Sequence, residues 1–193
     1  MEKEPIHVGF DMDGVLLYNP FRIVRPIVVT VKKYLLKRET NKFYLPKTSL
    51  EKFLWLIAHK SSFIMAPGID DIHTLIKEKK IKVYIITSRY SMLKDDCEYW
   101  FNKINKEGLF EACYYNEGNE QPYLFKEKMI KKLKLDFFVE DNWDIVSHVN
   151  EQLKNDHKPT KVLWIYNLID KNIPYEYKFP TLRKAVEYIT RNT

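Results

Sequence analysis

Hydrophobic and polar positions along the chain alternate between two periods. Short apolar or β-branched runs of strand length lie at residues 6–10, 82–87, 111–115, 137–140 and 161–166. Apolar residues recur at helical spacing in the segments between and after these runs, at residues 69–76, 93–104, 125–133, 145–153 and, behind the N-cap candidate Thr181, 182–189. Repeated strand-helix-strand units predict an α/β fold of three Rossmann-like layers, in which helices cover both faces of a parallel sheet.

One stretch, from about Tyr18 to Met65, breaks this alternation. Two helical patterns follow each other there with no strand between them, at residues 23–35 and 50–58, and the second opens with the capping-box sequence Thr48-Ser-Leu-Glu51. Inserted directly after the first strand, the pair would stand above the carboxyl edge of the sheet and could exclude water from it. We therefore predict a core of residues 1–17 and 66–193 with a small helical cap insertion at residues 18–65. The alternative is a plain helical layer packed on the core.

Length and charge narrow the picture further. At 193 residues the chain is long enough for one domain with a substantial core. The net charge of +6 comes mostly from lysines, which cluster at residues 77–82 and 126–134. These lysines fall between apolar positions at helical spacing, as on a solvated helix face. We therefore favour an ordinary basic surface over a nucleic-acid site.

The amino terminus and the cysteines indicate the compartment. No basic segment followed by a long apolar one opens the chain, so neither a signal peptide nor a membrane helix is predicted, and we expect a soluble cytoplasmic protein. Cys97 and Cys113 are the two cysteines, too few for a disulfide framework or a cysteine zinc site. We interpret both as small buried apolar residues.

Carboxylates follow two of the predicted strands. Asp11 and Asp13 end the first strand, directly before Gly14, and Glu140 and Asp141 end the fourth. Because the carboxyl ends of parallel strands meet at one edge, we expect these four side chains to converge. Converging carboxylates repel one another unless a cation intervenes, and oxygen ligands suit magnesium. The simpler alternative for the second pair, together with Asn142, is a turn that caps the next helix.

Hydroxyl residues end another strand of the same predicted sheet. Thr87 and Ser88 follow the apolar run Val83-Tyr-Ile-Ile86, and their side chains and backbone amides could bind a phosphate oxygen. Arg89 comes next and could either contact a substrate or pair with a carboxylate. A Thr-Ser pair alone is common, so the prediction depends on its coincidence with the carboxylates.

The order of these motifs resembles that of haloacid-dehalogenase-superfamily phosphohydrolases. In that family an apolar strand leads into Asp-x-Asp-Gly, met here as Asp11-Met-Asp13-Gly14-Val15; a second strand ends in Thr or Ser, met by Thr87; and an acidic pair follows a later strand, met by Glu140-Asp141. The resemblance runs from Ile6 to about Val149. The helical insertion falls where one cap class of the family inserts, and the organisation is similar to that of 5'(3')-deoxyribonucleotidase-like members.

The resemblance implies a role for each motif residue. Asp11 would be the nucleophile that forms an aspartyl-phosphate, and Asp13 the general acid and base. Thr87 and the Ser88 amide would hold the phosphoryl group. In the family, a lysine ahead of the acidic pair would neutralise charge on the phosphoryl group. Lys126 has the family's spacing to Glu140 and is the first candidate, and Lys128 is the second. Magnesium would be held by Asp11, the backbone carbonyl of Asp13, and Asp141, with Glu140 close by or acting through water.

The expected function is therefore magnesium-dependent hydrolysis of a phosphate monoester, with a small substrate such as a nucleoside monophosphate. The alternatives are a phosphatase that acts on nucleic-acid ends, a catalytically inactive binding protein of the same fold, and a phosphotransferase or phosphonatase. Seven cap residues could contact a base or sugar, or could equally be packing residues: Tyr18, Phe21, Arg22, Arg25, Phe43, Tyr44 and Trp55.

Overall fold

The computed structural model describes residues 4–18, 43, 45–60, 62–154, 159–167 and 170–193. The predicted helical pattern at residues 23–35 lies outside the described residues, as do four of the cap residues singled out above, Phe21, Arg22, Arg25 and Tyr44. Within the described ranges, no helix is both long and apolar enough to cross a membrane.

The described strands and helices alternate as the hydrophobic pattern predicts. The strands are β1 (Ile6–Phe10), β2 (Leu17–Tyr18), β3 (Ile64–Met65), β4 (Ile81–Tyr90), β5 (Ala112–Asn116), β6 (Phe137–Glu140), β7 (Lys161–Ile165) and β8 (Lys178–Phe179). The α-helices are α1 (Ser49–Lys60), α2 (Ile69–Lys77), α3 (Lys94–Ile104), α4 (Pro122–Leu133), α5 (Trp143–Leu153) and α6 (Leu182–Thr190). Short 3-10 turns lie at Ser91–Leu93 and Asp170–Asn172.

Six strands form one parallel sheet in the order β5-β4-β1-β6-β7-β8. Strand β1 lies between β4 and β6, so the chain builds the sheet outward in one direction and then in the other. The carboxyl end of β1 is therefore at the point where the strand order reverses, which is where ligands bind in open α/β sheets.

Helices pack on both faces of this sheet. On one face, apolar residues of α2, α3 and α6 form a core with alternate sheet residues such as Val8 and Phe10. On the other face, α4 and α5 pack against Phe138, Val162 and Trp164. Each strand contributes apolar side chains to both cores, because successive side chains of a strand point to opposite faces of the sheet. The predicted three-layer α/β fold is confirmed.

Strand β4 is longer than its apolar run predicts. It continues past Thr87 to Tyr90, and its pairing with β5 shifts between these two residues, so that Ser88 and Arg89 form an irregular bulge. A bulge bends a strand and redirects its side chains. Strands β2, β3 and β8 were not predicted either, because a two-residue strand is too short to show a period.

The two ends of the predicted cap insertion lie side by side. Strands β2 and β3 pair antiparallel, Leu17 with Met65 and Tyr18 with Ile64. Helix α1 begins with the predicted capping box: the Thr48 amide donates to Glu51 Oε2 at 2.9 Å, and the Glu51 amide donates to Thr48 Oγ1 at 3.2 Å. Residues at both ends of the predicted insertion are therefore neighbours.

The two cysteines lie next to each other as free thiols. Cys97 of α3 is buried and Cys113 of β5 is half-buried, with their sulfur atoms 3.6 Å apart. Cys97 packs in the apolar core between the sheet and α3, as the composition indicates, and Cys113 packs against it.

Candidate active site

The turn after β1 presents the first predicted carboxylate at the sheet edge. The Asp11 amide donates to the Val139 carbonyl of β6 at 2.9 Å, which continues the sheet pairing to this residue. Asp11 Oδ1 accepts a hydrogen bond from the Met12 amide at 2.8 Å. The side chain of Asp11 is almost fully buried, with 8% of its surface exposed. The backbone of Asp11 is thus fixed by the sheet, and its carboxylate by the Met12 amide.

Three carboxylates gather at the ends of β1 and β6. One oxygen each from Asp11, Glu140 and Asp141 lies within 4.8 Å of the others, and all three residues are buried. Glu140 Oε1 accepts hydrogen bonds from the Asp141 amide at 3.1 Å and from the Asn142 amide at 2.9 Å. Three of the four acids that were expected to converge therefore do so, and the fourth, Asp13, is not part of this group.

Asn142 also caps the next helix, as the simpler interpretation of this turn predicts. Its side chain accepts a hydrogen bond from the Asp144 amide at 3.1 Å, at the start of α5. The indole nitrogen of Trp164 donates to the Asp141 carbonyl at 3.1 Å. Capping and clustering therefore coexist, and both hold the Glu140-Asp141 turn in place.

Lys126 contacts two of the three clustered acids. Its Nζ atom is 3.0 Å from Asp11 Oδ2 and also forms an ion pair with Glu140 Oε2. The lysine is 1% exposed, in the second turn of α4, whose amino end faces the carboxyl edge of the sheet. Lys128, the second candidate, is exposed and pairs instead with Glu120 at 2.8 Å. The geometry thus places Lys126 at the site and Lys128 outside it.

Burial and charge act against each other in this cluster. Desolvation, together with the charges of Glu140 and Asp141, raises the pKa of Asp11 well above its usual value, although Lys126 opposes the shift. Desolvation also raises the pKa of Glu140. For Lys126, burial favours the neutral amine, but Asp11 and Glu140 outweigh it and raise the pKa of the ammonium group. One lysine therefore does not offset the buried negative charge.

Asp13 lies outside this group of three carboxylates and pairs with Arg89. Arg89 Nε donates to Asp13 Oδ2 at 2.8 Å, and Arg89 Nη2 donates to Asp13 Oδ1 at 2.9 Å. The third guanidinium nitrogen, Nη1, donates to Asp96 Oδ2 at 2.5 Å. Of the two roles that the sequence left open for Arg89, the structure shows pairing with carboxylates.

The hydroxyl residues lie where β4 bulges. Thr87 is buried, and its Oγ1 accepts a hydrogen bond from the Arg89 amide at 3.3 Å. Ser88 Oγ is also buried and has no hydrogen-bond partner among the described residues. A buried hydroxyl usually finds a partner, because an unsatisfied one costs about 1–3 kcal/mol. The Ser88 hydroxyl could therefore donate a hydrogen bond to a ligand at the edge of the sheet where the acidic cluster lies.

Gly14 has a structural requirement that the motif alone does not reveal. Its φ is +85°, and a Cβ atom built on it would lie 2.4 Å from Oδ2 of Asp141. A side chain at this position would therefore be strained and would displace the Asp141 carboxylate. The glycine lets the turn after β1 approach the turn after β6 closely.

Two contacts join residues of the predicted insertion, Trp55 and Phe43, to residues near this site. The Trp55 ring of α1 stacks on Tyr90, at the end of β4, with ring centroids 6.5 Å apart. The Phe43 amide donates to Gln121 Oε1 at 2.9 Å, directly before α4. Both contacts lie close in sequence to site residues, because Tyr90 follows Arg89 and α4 carries Lys126.

No family profile matches this sequence, and no curated protein matches it either. Solved structures do match in fold. A candidate beta-phosphoglucomutase from Thermotoga maritima has a TM-score of 0.60 at 15% identity, over 97% of this chain and 100% of its own. CbbY from Rhodobacter sphaeroides in complex with phosphate has a TM-score of 0.54 at 12% identity, over 92% and 95%. A HAD-superfamily hydrolase from Ehrlichia chaffeensis has a TM-score of 0.51 at 15% identity, over 99% and 98%. These likenesses show that the chain has the fold of HAD-superfamily hydrolases.

Proposed function

We propose that this chain is a haloacid-dehalogenase-superfamily phosphohydrolase that cleaves phosphate monoesters with magnesium, through an aspartyl-phosphate on Asp11. The observation that carries the proposal is the contact of buried Asp11 with Lys126, beside Glu140 and Asp141. Buried carboxylates held in one cluster by a single lysine are costly for stability alone, and such clusters are typical of sites that do chemistry.

Asp11 has the geometry of a positioned nucleophile. Its Oδ1 accepts the Met12 amide, and its Oδ2 lies beside Lys126 Nζ, so the carboxylate cannot rotate freely. Attack by a carboxylate oxygen on phosphorus would form a new P–O bond as the ester P–O bond breaks, and the leaving oxygen would take a proton from Asp13 to depart as the alcohol. Water would then attack the acyl phosphate and give a proton to Asp13, which restores Asp11 and releases phosphate. The two steps replace one harder displacement.

The donor set fits magnesium. The cluster offers carboxylate oxygens only, which is the ligand type that this cation takes, and its excess negative charge suits a dication. In keeping with the motif resemblance, we assign direct binding to Asp11 and Asp141 and a supporting role to Glu140, whose Oε1 accepts two amides and whose Oε2 contacts Lys126. The Asp13 backbone carbonyl would complete the protein ligands. When bound, magnesium would offset the charge between the nucleophile and an anionic phosphate.

The phosphoryl group would be held by groups at the bulge of β4. Thr87 Oγ1 and Ser88 Oγ are hydroxyls near the carboxyl end of this strand, and Ser88 Oγ has no hydrogen-bond partner in the part of the chain that the structure describes. Lys126 would offset charge that develops on the phosphoryl oxygens as the ester bond breaks. Asp13, whose side chain is 21% exposed, is the candidate general acid and base, since it can reach a substrate above the edge.

The cap would control which phosphate esters enter. We infer that residues 18–65 form the insertion and that residues 1–17 and 66–193 form the core, in support of which β2 and β3 pair at its base. The stack of Trp55 on Tyr90 supports a cap that covers the site. Within this proposal the substrate is a small phosphate ester, and a nucleoside monophosphate is the first class to test because of the position of the insertion, in which aromatic residues such as Trp55 could contact a base.

Phosphate release from 4-nitrophenyl phosphate tests the proposal. We expect turnover by the wild-type protein with magnesium, none after chelation with EDTA, and a loss of at least about 10³-fold in Asp11→Asn. Equal rates in the two proteins would refute it. A panel of nucleoside monophosphates, sugar phosphates and phosphorylated oligonucleotide ends then identifies the substrate class. Activity confined to oligonucleotide ends, with steep loss as salt rises, would favour the nucleic-acid alternative.

A further inference from the structure

Arg89 is fully buried, and its guanidinium group joins two carboxylates from different elements. It comes from the bulge of β4, Asp13 from the turn after β1, and Asp96 from the first turn of α3. The side chain of Arg89 is 0% exposed, whereas that of Asp13 is 21% exposed. The arginine therefore lies beneath Asp13, on the side away from solvent.

The contact with Asp13 is bidentate. Nε and Nη2 each donate to a different oxygen of the Asp13 carboxylate, at 2.8 and 2.9 Å. Two parallel hydrogen bonds fix both the position and the plane of a carboxylate, which one point charge cannot do. The side chain of Asp13 is 21% exposed, so part of it is accessible to a group above the sheet edge.

Asp96 fixes the arginine in turn. Its Oδ2 accepts a hydrogen bond from Arg89 Nη1. Three of the five guanidinium N–H groups therefore donate to carboxylate oxygens. Burial opposes the charge of Arg89, but Asp13 and Asp96 together raise the pKa of the guanidinium group further. The arginine therefore remains charged and stationary.

We propose that Arg89 is a positioning residue that orients the Asp13 carboxylate for proton transfer to the leaving group, with Asp96 as its anchor. The inference rests on the proposed phosphohydrolase function and extends it to a pair of residues that do not contact the phosphate. A misoriented general acid fails most where the leaving group most needs a proton, so the effect of Arg89 must depend on the leaving group.

This dependence separates positioning from a merely structural role. Dinitrophenolate leaves readily without a proton, 4-nitrophenolate less so, and unsubstituted phenolate poorly. A variant that has lost the oriented acid should lose little rate on 2,4-dinitrophenyl phosphate and about 10²-fold or more on phenyl phosphate. A variant that is only less folded should lose the same factor on all three esters, because the fraction of folded protein does not depend on the substrate.

The experiment measures kcat/KM on these three esters for the wild-type protein, Arg89→Lys, Arg89→Gln, Asp96→Asn and Asp13→Asn. Lysine keeps the charge but not the two-pronged contact, so we expect Arg89→Lys and Arg89→Gln to show the steep leaving-group dependence of Asp13→Asn, and Asp96→Asn a smaller steepening. Arg183→Lys is the matched control, because Arg183 pairs with Asp71 on the exposed surface. It should keep the wild-type rates.

The outcomes are distinguishable. A wild-type leaving-group dependence in Arg89→Lys and Arg89→Gln, whatever their absolute rates, would overturn the positioning role while leaving the proposed function standing. A wild-type protein that hydrolyses none of the esters in the presence of magnesium would overturn the proposed function and the positioning role with it. Thermal melting of each variant accompanies the rates, and Asp96→Asn, which retains both Arg89–Asp13 hydrogen bonds, covers the case in which the Arg89 variants fail to fold.

Discussion

Gly14 lies against the Asp141 carboxylate so closely that a Cβ atom on the glycine would be 2.4 Å from Asp141 Oδ2 and 2.6 Å from Asp141 Cγ. We therefore expect Gly14→Ala to move the Asp141 side chain and to weaken magnesium binding about 10–100-fold, which is the usual effect of disturbing the support of a metal ligand. The magnesium concentration that gives half-maximal phosphate release measures this change.

Gly108→Ala is the control for backbone strain. Gly108 also has a positive φ, +64°, but a Cβ atom there would meet nothing within 4 Å. Both substitutions carry the cost of a left-handed alanine, about 1–2 kcal/mol of unfolding free energy. Only Gly14→Ala should change the magnesium requirement. A shift of the same size in Gly108→Ala would mean that general destabilisation, and not the Asp141 contact, is responsible.

Lys126 and Lys128 lie on one helix, yet only the first reaches the acidic cluster. We expect Lys126→Met to lower kcat about 10²–10³-fold, because it removes a positive charge next to the reacting phosphoryl group. It also leaves Asp11 and Glu140 without their buried partner, so we expect a loss of about 3–5 kcal/mol in unfolding free energy. Phosphate release and chemical denaturation measure the two effects.

The matched variant Lys128→Met removes an exposed ion pair with Glu120, whose contribution to stability is about 0–1 kcal/mol. Its rate should stay within about twofold of wild type. If Lys128→Met were the inactive variant and Lys126→Met the active one, the assignment of the lysine would be wrong.

The convergence of the acids could be predicted from the sequence because topology enforces it. Once β1 and β6 are parallel neighbours, the residues after Phe10 and Val139 must meet at one edge, and no detail of packing is needed. Even the role of Asn142 as a cap followed from local chemistry. Features that depend only on the end of one strand or the start of one helix can therefore be predicted from sequence patterns.

The Arg89–Asp13 ion pair could not be predicted from the sequence. Its partners are 76 positions apart, and their contact depends on the bulge that carries Arg89, which no periodicity marks. The close approach of Gly14 to Asp141 likewise depends on two turns from different strands. One signal in the sequence could have favoured pairing with a carboxylate as the role of Arg89. It is the position of Arg89 directly after Thr87 and Ser88, on a strand expected to lie beside the Asp-x-Asp turn.

Asp11 should cost stability as long as it is charged and no cation is bound. Burial, then the charge of Glu140, raises the pKa of Asp11 against the opposing effect of Lys126. The folded protein therefore binds this proton more readily than the unfolded chain, and its stability falls as pH rises from about 4 through the raised pKa. We expect metal-free Asp11→Asn to melt at or above the wild-type temperature at neutral pH, with the difference shrinking as the pH falls.

Magnesium should reverse that order. A cation that binds only the folded state raises its stability by about 2.7 kcal/mol at a hundred times its dissociation constant, and Asp11→Asn lacks a ligand for it. Melting curves in EDTA and in magnesium, at several pH values, therefore test the assignment without any substrate. A lower melting temperature for Asp11→Asn in EDTA at neutral pH would show that the Lys126 ion pair outweighs the cost of burial.

Trp55 and Phe53 lie on the same helix of the cap region, but only Trp55 stacks on the core, at Tyr90, whereas Phe53 is 58% exposed. We expect Trp55→Ala to lower kcat/KM for the best nucleoside monophosphate about 3–10-fold, since an aromatic contact of this kind is worth about 0.5–1.5 kcal/mol. It should leave kcat for a small ester such as methyl phosphate unchanged, because this substrate has no base or sugar for the cap to contact. Phe53→Ala should match wild type on both substrates. If the two variants lost the same factor on both esters, α1 would contribute stability and not selection, and the plain helical layer would be the better description of this segment.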